Sequence, residues 1–181
     1  MSPRASTTAP TPTPDEVAAI TQMNFRTSVA LFATGIAVVT MDDGEGGVHG
    51  VTVNSFTSIS LDPPTVMVSL RPGRAHDLIS SAGVYGVSVL TEAQQNHSRY
   101  FTGAREDDWS PEFLTGATVP TLAGSLARFE CRVTDTIAVH DHTLFLARVE
   151  HCDSDQGSPL MFFASKYHQP ALTIPSPDKA T

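Results

Sequence analysis

GVTVNSFTSISLDPPTVMVSL, residues 50–70, decides how this chain is to be read. Val51 and Val53 alternate with Thr52 and Asn54. Beyond the Pro63-Pro64 pair, Val66, Val68 and Leu70 alternate with Met67 and Ser69. Period-two alternation on both sides of a proline turn predicts two β-strands. The second strand has one apolar face. The first is unusual, because Thr52, Asn54, Ser55, Thr57, Ser58 and Ser60 crowd together and add little to a core. Short hydroxyl and amide groups beside exposed backbone N–H groups suit phosphate or the polar edge of a cofactor ring. An edge strand with a solvated face is the alternative.

The surroundings supply more strands. Ile36 to Met41 is a β-branched run, DDGEGG (42–47) is a turn, and residues 84–90 alternate. Two long alternating strands, 126–139 and 143–152, flank a tight His140-Asp141-His142 turn, and 159–168 reads as a last strand. Helices are fewer. Thr13-Pro14-Asp15-Glu16 has the form of a capped start, and Asn24 offers a second cap. Phe25, Val29 and Phe32 then form one stripe of a helix over 25–34, closed by Gly35. Residues 74–82 form a short helix stopped by Gly83. Thr91 to Gln94 is a capping-box pattern for a helix running to Phe101, with Gly103 past its end. Residues 104–124 are irregular. Strands in hairpin-like pairs with few helices between them predict a mainly β fold, an antiparallel barrel with peripheral helices.

With 181 residues the chain suits one domain. MSPRASTTAPTPTP at the start is rich in Pro and Thr and lacks the apolar centre of a secretory signal. We expect a disordered tail over residues 1–14, a domain over 15–175 and a short tail over 176–181. No apolar run reaches the roughly 20 residues that span a bilayer, so a cytoplasmic protein without a membrane partner is expected. A net charge of -8 argues against a nucleic-acid partner. Yet four arginines, Arg71, Arg74, Arg99 and Arg105, fall close together in the chain. They suit either a small anion or a solvated face.

Familiar catalytic signatures are absent: no GxGxxG after a strand, no phosphate-binding GxxxxGK, no GxSxG and no HExxH. The seven histidines show no metal spacing, so no metal is expected. Cys131 and Cys152 would lie opposite each other in a hairpin centred near Asp141-His142. A cross-strand bridge is thus conceivable, although free thiols suit a reducing compartment.

The order of several blocks resembles the short-chain flavin reductase family, built on the FMN-binding split β-barrel. The blocks are FRTSVALFATGIAVVT, GVTVNSFTSISLDPPTVMVSL, AHDLI, RYFTG, VPTLAGSLARFECRV, HDHTLFLARVE and PLMFFASKYH, spread over roughly residues 24–172. The resemblance implies a homodimer with FAD or FMN near the subunit interface. It also implies hydride transfer from NADH, with NADPH possible, and release of reduced flavin to a separate monooxygenase. It assigns Thr52, Val53, Asn54, Ser55 and Ser58 to the flavin, with Ser69, Leu70 and Arg71 beside them on the next strand. Leu70 would contribute through its backbone. His76 and Arg105 fall where phosphate-side contacts are expected, and Phe101 and Gly103 end a helix beside the site. His142 matches the histidine of the family's Gly-Asp-His turn, associated with nicotinamide binding and hydride transfer. Here His140 replaces the glycine. Tyr167 and His168 match a C-terminal pair that closes over the cofactor.

Hydride transfer to a flavin needs ring placement, not a classical acid–base pair, which accounts for the missing signatures. Two other readings stay open from the residues: a flavin-binding split barrel without reductase activity, and a heme-binding relative with His142 or His168 as axial ligand.

Overall fold

The computed structural model describes residues 13–104, 109–115 and 118–169. Along the chain come α1 (Pro14–Val29), β1 (Thr34–Gly35), β2 (Ala37–Asp42), β3 (Val48–Val53), β4 (Thr57–Leu61), β5 (Pro64–Leu70), α2 (Arg74–Ala82) and β6 (Val84–Val89). A 3-10 turn (Glu92–Gln94) leads into α3 (Gln95–Tyr100). Then follow β7 (Phe113–Thr115), β8 (Pro120–Leu122), β9 (Ala127–Val139), β10 (His142–Ser154), β11 (Met161–Phe163) and β12 (Lys166–His168).

Seven strands form one antiparallel sheet in the order β3-β2-β6-β9-β10-β5-β4. Its two edge strands, β3 and β4, are consecutive in the chain and joined only by Asn54, Ser55 and Phe56. The four steps from Val53 to Thr57 span at most about 14 Å. The edges of the sheet must therefore come together at this corner, and the sheet rolls into an open barrel. The polar stretch that resisted assignment as core material is the place where the barrel splits.

The rolled sheet buries two apolar clusters. Ala37, Val39 and Met41 of β2 point inward with Val66, Val68, Leu70, Tyr85, Val87, Phe145 and Ala147. Ile79 of α2 joins them, fully buried. Val38 points the other way, into a second cluster with Ile36, Leu90, Phe101, Leu122 and Leu160. β2 is thus buried on both faces, which is why its sequence is a β-branched run rather than an alternation. Among the described residues no helix is long and apolar enough to cross a membrane.

Several elements differ from expectation. The two helices read over residues 14–34 are one helix, α1, which runs through Asn24 without a break. Its end is tightened by Leu31 N–H to Ser28 O and Phe32 N–H to Val29 O. The stripe of Phe25, Val29 and Phe32 is exposed, not packed. The capping role read for Glu16 falls on a side chain outside those described, and both tails lie almost wholly outside them. The last strand folds back as the β11–β12 hairpin, with Ala164 and Ser165 both at positive φ (49° and 61°). No Gly or Asn marks that turn, so the sequence carried no signal for it. Pro64 opens β5 instead of sitting in the turn, and the Asp62–Pro63 peptide is cis. The irregular segment holds the small β7–β8 hairpin.

Cys131 and Cys152 are both free. The hairpin turns on His140 and Asp141, one step earlier than assumed, and two register shifts follow. Cys131 therefore faces Val149, and Cys152 faces Phe129.

Candidate functional site

The corner at Asn54 and Ser55 forms one wall of an open cleft of about 670 Å³. That volume is ordinary for a small-molecule or cofactor site. β3 contributes His49 through Val53, and the end of β5 contributes Ser69 and Leu70. Arg71 to Gly73 and the first turn of α2 (Arg74, Ala75, His76) form the opposite side. The end of α3 adds Tyr100 to Gly103, and His142 at the start of β10 closes the set.

The corner is held by its own polar side chains. Thr52 donates its hydroxyl to Ser98 O at 2.7 Å, tying β3 to α3. Ser55 Oγ donates to Ser69 O at 3.1 Å and accepts from Ser69 N–H at 3.0 Å. Asn54, exposed at the apex, makes no side-chain hydrogen bond to the described residues, so its amide is available to a ligand. Gly50 is required by a close approach: a Cβ there would stand 2.6 Å from the Phe101 ring. The side chains of Val53 and Leu70 are buried in the core, so both can meet a ligand only through backbone.

At the other end, Arg71 Nη2 donates to Asp141 Oδ2 at 3.0 Å, and Asp141 Oδ1 lies 2.9 Å from His142 Nδ1. The hydrogen bond from His142, aided by the Arg71 charge, holds the Asp141 carboxyl below the ordinary carboxylate range. His140 has φ 52°, whereas Asp141 is not in the left-handed region. His140 is thus the first of two turn residues, at a positive φ that glycine adopts most easily. His76 is differently placed. Its Nδ1 meets Asp77 Oδ1 and its Nε2 meets Thr143 Oγ1, both at 3.0 Å, while its ring packs edge-on against Phe145. To bind a phosphate it would have to exchange one of these bonds.

Of the residues read from the sequence, the cleft brings together Thr52, Val53, Asn54, Ser55, Ser69, Leu70, Arg71, His76, Phe101, Gly103 and His142. Ser58 lies on the exposed edge strand β4, away from it. Tyr167 hydrogen-bonds Ser98 Oγ at 3.0 Å and packs on Phe162. His168 Nε2 lies 3.1 Å from Phe163 O in the small sheet. Neither lines the cleft. Arg105 lies outside the described residues. Tyr100 and Thr102 line the cleft but were not read from the sequence, whereas Arg74, one of the clustered arginines that suited a small anion, does line it. A further signal for Arg74 was its place at the first turn of a helix that follows Pro72-Gly73.

An open antiparallel barrel, split at a polar corner, with the Asn54 amide on one wall and two arginines on the other, belongs to the class of split barrels whose cleft suits a flat nucleotide cofactor. Comparison with known proteins narrows it. Residues 29–171 match the model of the flavin reductase like domain. The NADH-dependent flavin reductase StyB of Pseudomonas fluorescens is 54% identical over 154 residues, 83% of this chain and 91% of that protein. The solved structure of the styrene monooxygenase flavin reductase SMOB from Pseudomonas putida S12 superposes with a TM-score of 0.79 at 56% identity. It covers 83% of this chain and 99% of that one. A Streptomyces globisporus NADH:FAD oxidoreductase, solved with NAD and FAD fragments, gives a TM-score of 0.75 at 27% identity over 87% of this chain and 95% of that one. The chain belongs to the flavin reductase family.

Proposed function

We propose that the protein is an NADH-dependent flavin reductase that reduces FAD or FMN and supplies the product to a separate monooxygenase component. The observation that carries this is the convergence, on one cleft, of the Asn54 amide at a polar corner, two arginines and His142. The relatives support it: StyB is named an NADH-dependent flavin reductase, SMOB a flavin reductase and the Streptomyces protein an NADH:FAD oxidoreductase. Bound flavin supplies the redox chemistry, accepting hydride from the reduced nicotinamide.

The chain's own residues do the placing. Asn54 and the backbone of residues 52–55 and 69–71 would hold the ring edge. Arg71 and Arg74 would meet phosphate, with Arg as the suited partner for a planar, bidentate contact. Phe101 and Tyr100 give the cleft an aromatic wall. His142 would meet the nicotinamide. The cleft is open, which suits a flavin that leaves as product and accepts FAD as readily as FMN.

We further propose a homodimer. α1 exposes Val17, Ile20, Met23, Phe25 and Val29, and Leu31 and Phe32 follow it, also exposed. Such a patch is unusual on a monomer and suits a second copy. The likeness to a styrene monooxygenase reductase makes an oxygenase of that type the first partner to try.

The test is steady-state oxidation of NADH and NADPH, each with FAD, FMN and no flavin. Flavin-dependent NADH oxidation is expected. No flavin dependence with either nucleotide would overturn the proposal.

A further inference from the structure

Three histidines line the cleft, His49, His76 and His142, and the last two differ in one respect. Both ring nitrogens of His76 are engaged, by Asp77 and by Thr143. His142 has a partner on Nδ1 only, the carboxylate of Asp141 at 2.9 Å. Nε2 has none among the described residues. The carboxylate accepts only, so the shared proton belongs to the imidazole, and a neutral His142 carries it on Nδ1. Nε2 then offers a lone pair.

The other oxygen of Asp141 is fixed from across the cleft lip. Arg71, just past the end of β5, reaches Oδ2 at 3.0 Å. Both partners are largely exposed, 72% and 65%, so the pair adds little to net stability. What it supplies is orientation. Asp141 is pinned between the two walls and cannot swing from His142 without breaking a second bond.

We propose that Asp141 is a positioning residue: held by Arg71, it fixes His142 as the Nδ1–H tautomer, so that Nε2 accepts a hydrogen bond from the carboxamide N–H of the nicotinamide. This rests on the placement of nicotinamide beside His142 given above. A carboxamide donates through its NH₂ group and accepts through its oxygen, so the Nδ1–H tautomer selects the NH₂ group, whereas the opposite tautomer would turn an N–H toward the ligand and leave the NH₂ without this acceptor.

The ring nitrogens report the tautomer directly. Nitrogen-15 spectra of the uniformly labelled, flavin-free protein are recorded at about pH 8, above the ordinary imidazole range, with His142 assigned by its loss in His142→Gln. The wild type is expected to be protonated at Nδ1. Asp141→Ala releases the ring toward the Nε2–H form. Asp141→Asn, whose amide can donate to Nδ1, gives the same change with less disturbance of the turn. Arg71→Gln removes the second hold on Asp141 and should shift part of the population toward the Nε2–H form, less than either Asp141 variant does. In parallel, the KM for NADH should rise about tenfold in both Asp141 variants, the loss of roughly one hydrogen bond to the substrate, with flavin Kd unchanged within twofold. A wild-type ring protonated at Nε2, a tautomer unmoved in both Asp141 variants, or an unmoved KM for NADH overturns the proposal. A wild type that oxidises no NADH at all would instead fail the reductase function, while leaving the tautomer result to be read on its own.

Discussion

The hydroxyl of Ser55 is bonded twice to the backbone of Ser69, donating to its carbonyl oxygen and accepting from its N–H. The two residues lie on the consecutive segments that flank the split of the barrel. One short side chain thus extends the β4–β5 pairing past the start of β4 and sets the width of the cleft wall. Ser55→Ala leaves both backbone groups of Ser69 without this partner. We predict a loss of about 1–2 kcal/mol, a drop in Tm of about 3–6 °C for a domain of this size, and weaker flavin binding. Thermal unfolding with a flavin titration checks it; an unchanged Tm and Kd would remove the corner from the account.

His140 occupies the left-handed position of a turn that favours glycine. A side chain there costs about 1–2 kcal/mol, part of which glycine gives back through its greater freedom in the unfolded chain. His140→Gly should therefore stabilise the protein by about 0.5–1 kcal/mol in urea unfolding. Destabilisation by the same amount would show that the His140 side chain has a role of its own.

Trp109, the only tryptophan, meets His97 edge-on with centroids 4.7 Å apart. Burial holds the His97 imidazole below its ordinary value. The unfolded chain takes up this proton as the pH falls through about 6.5, and the folded protein only lower. The stability involved is thus fully present above that pH and is lost as the pH falls toward the folded value. Trp109 fluorescence should titrate with a midpoint below 6.5. The fall in stability between about pH 7.5 and pH 5.5 should shrink in His97→Gln. A midpoint at or above 6.5 would contradict the burial of this ring.

The two thiols differ in kind. Cys131 is buried in the barrel, and loss of hydration pushes its thiol up to about 12, whereas Cys152 is exposed. A thiol reagent at neutral pH should modify one cysteine in the native protein and two after denaturation. Two fast native thiols would mean that the β9–β10 wall opens.

Much of this was legible in the residues. The alternation of Val66, Val68 and Leu70 showed which face of β5 is core, and the capping box from Thr91 to Gln94 is present as read. The polar corner was found because nothing else explained so many hydroxyls in a strand. Their roles were not legible, since whether Thr52 and Ser55 bond a ligand or the chain's own backbone depends on strands brought together from distant segments. The Ala164-Ser165 turn gave no sign, because its residues are not those that positive φ favours. The stripe on α1 was visible, but periodicity shows only that a face is apolar, not whether the same chain covers it.

The central claim is that this cleft joins flavin to nicotinamide, with His142 on the nicotinamide side. Steady-state kinetics of His142→Ala, with flavin affinity measured alongside, tests it most directly. The account predicts a rise in the KM for NADH of about tenfold or more, with flavin Kd unchanged within twofold. A KM for NADH equal to the wild type, or a loss confined to flavin binding, would contradict it.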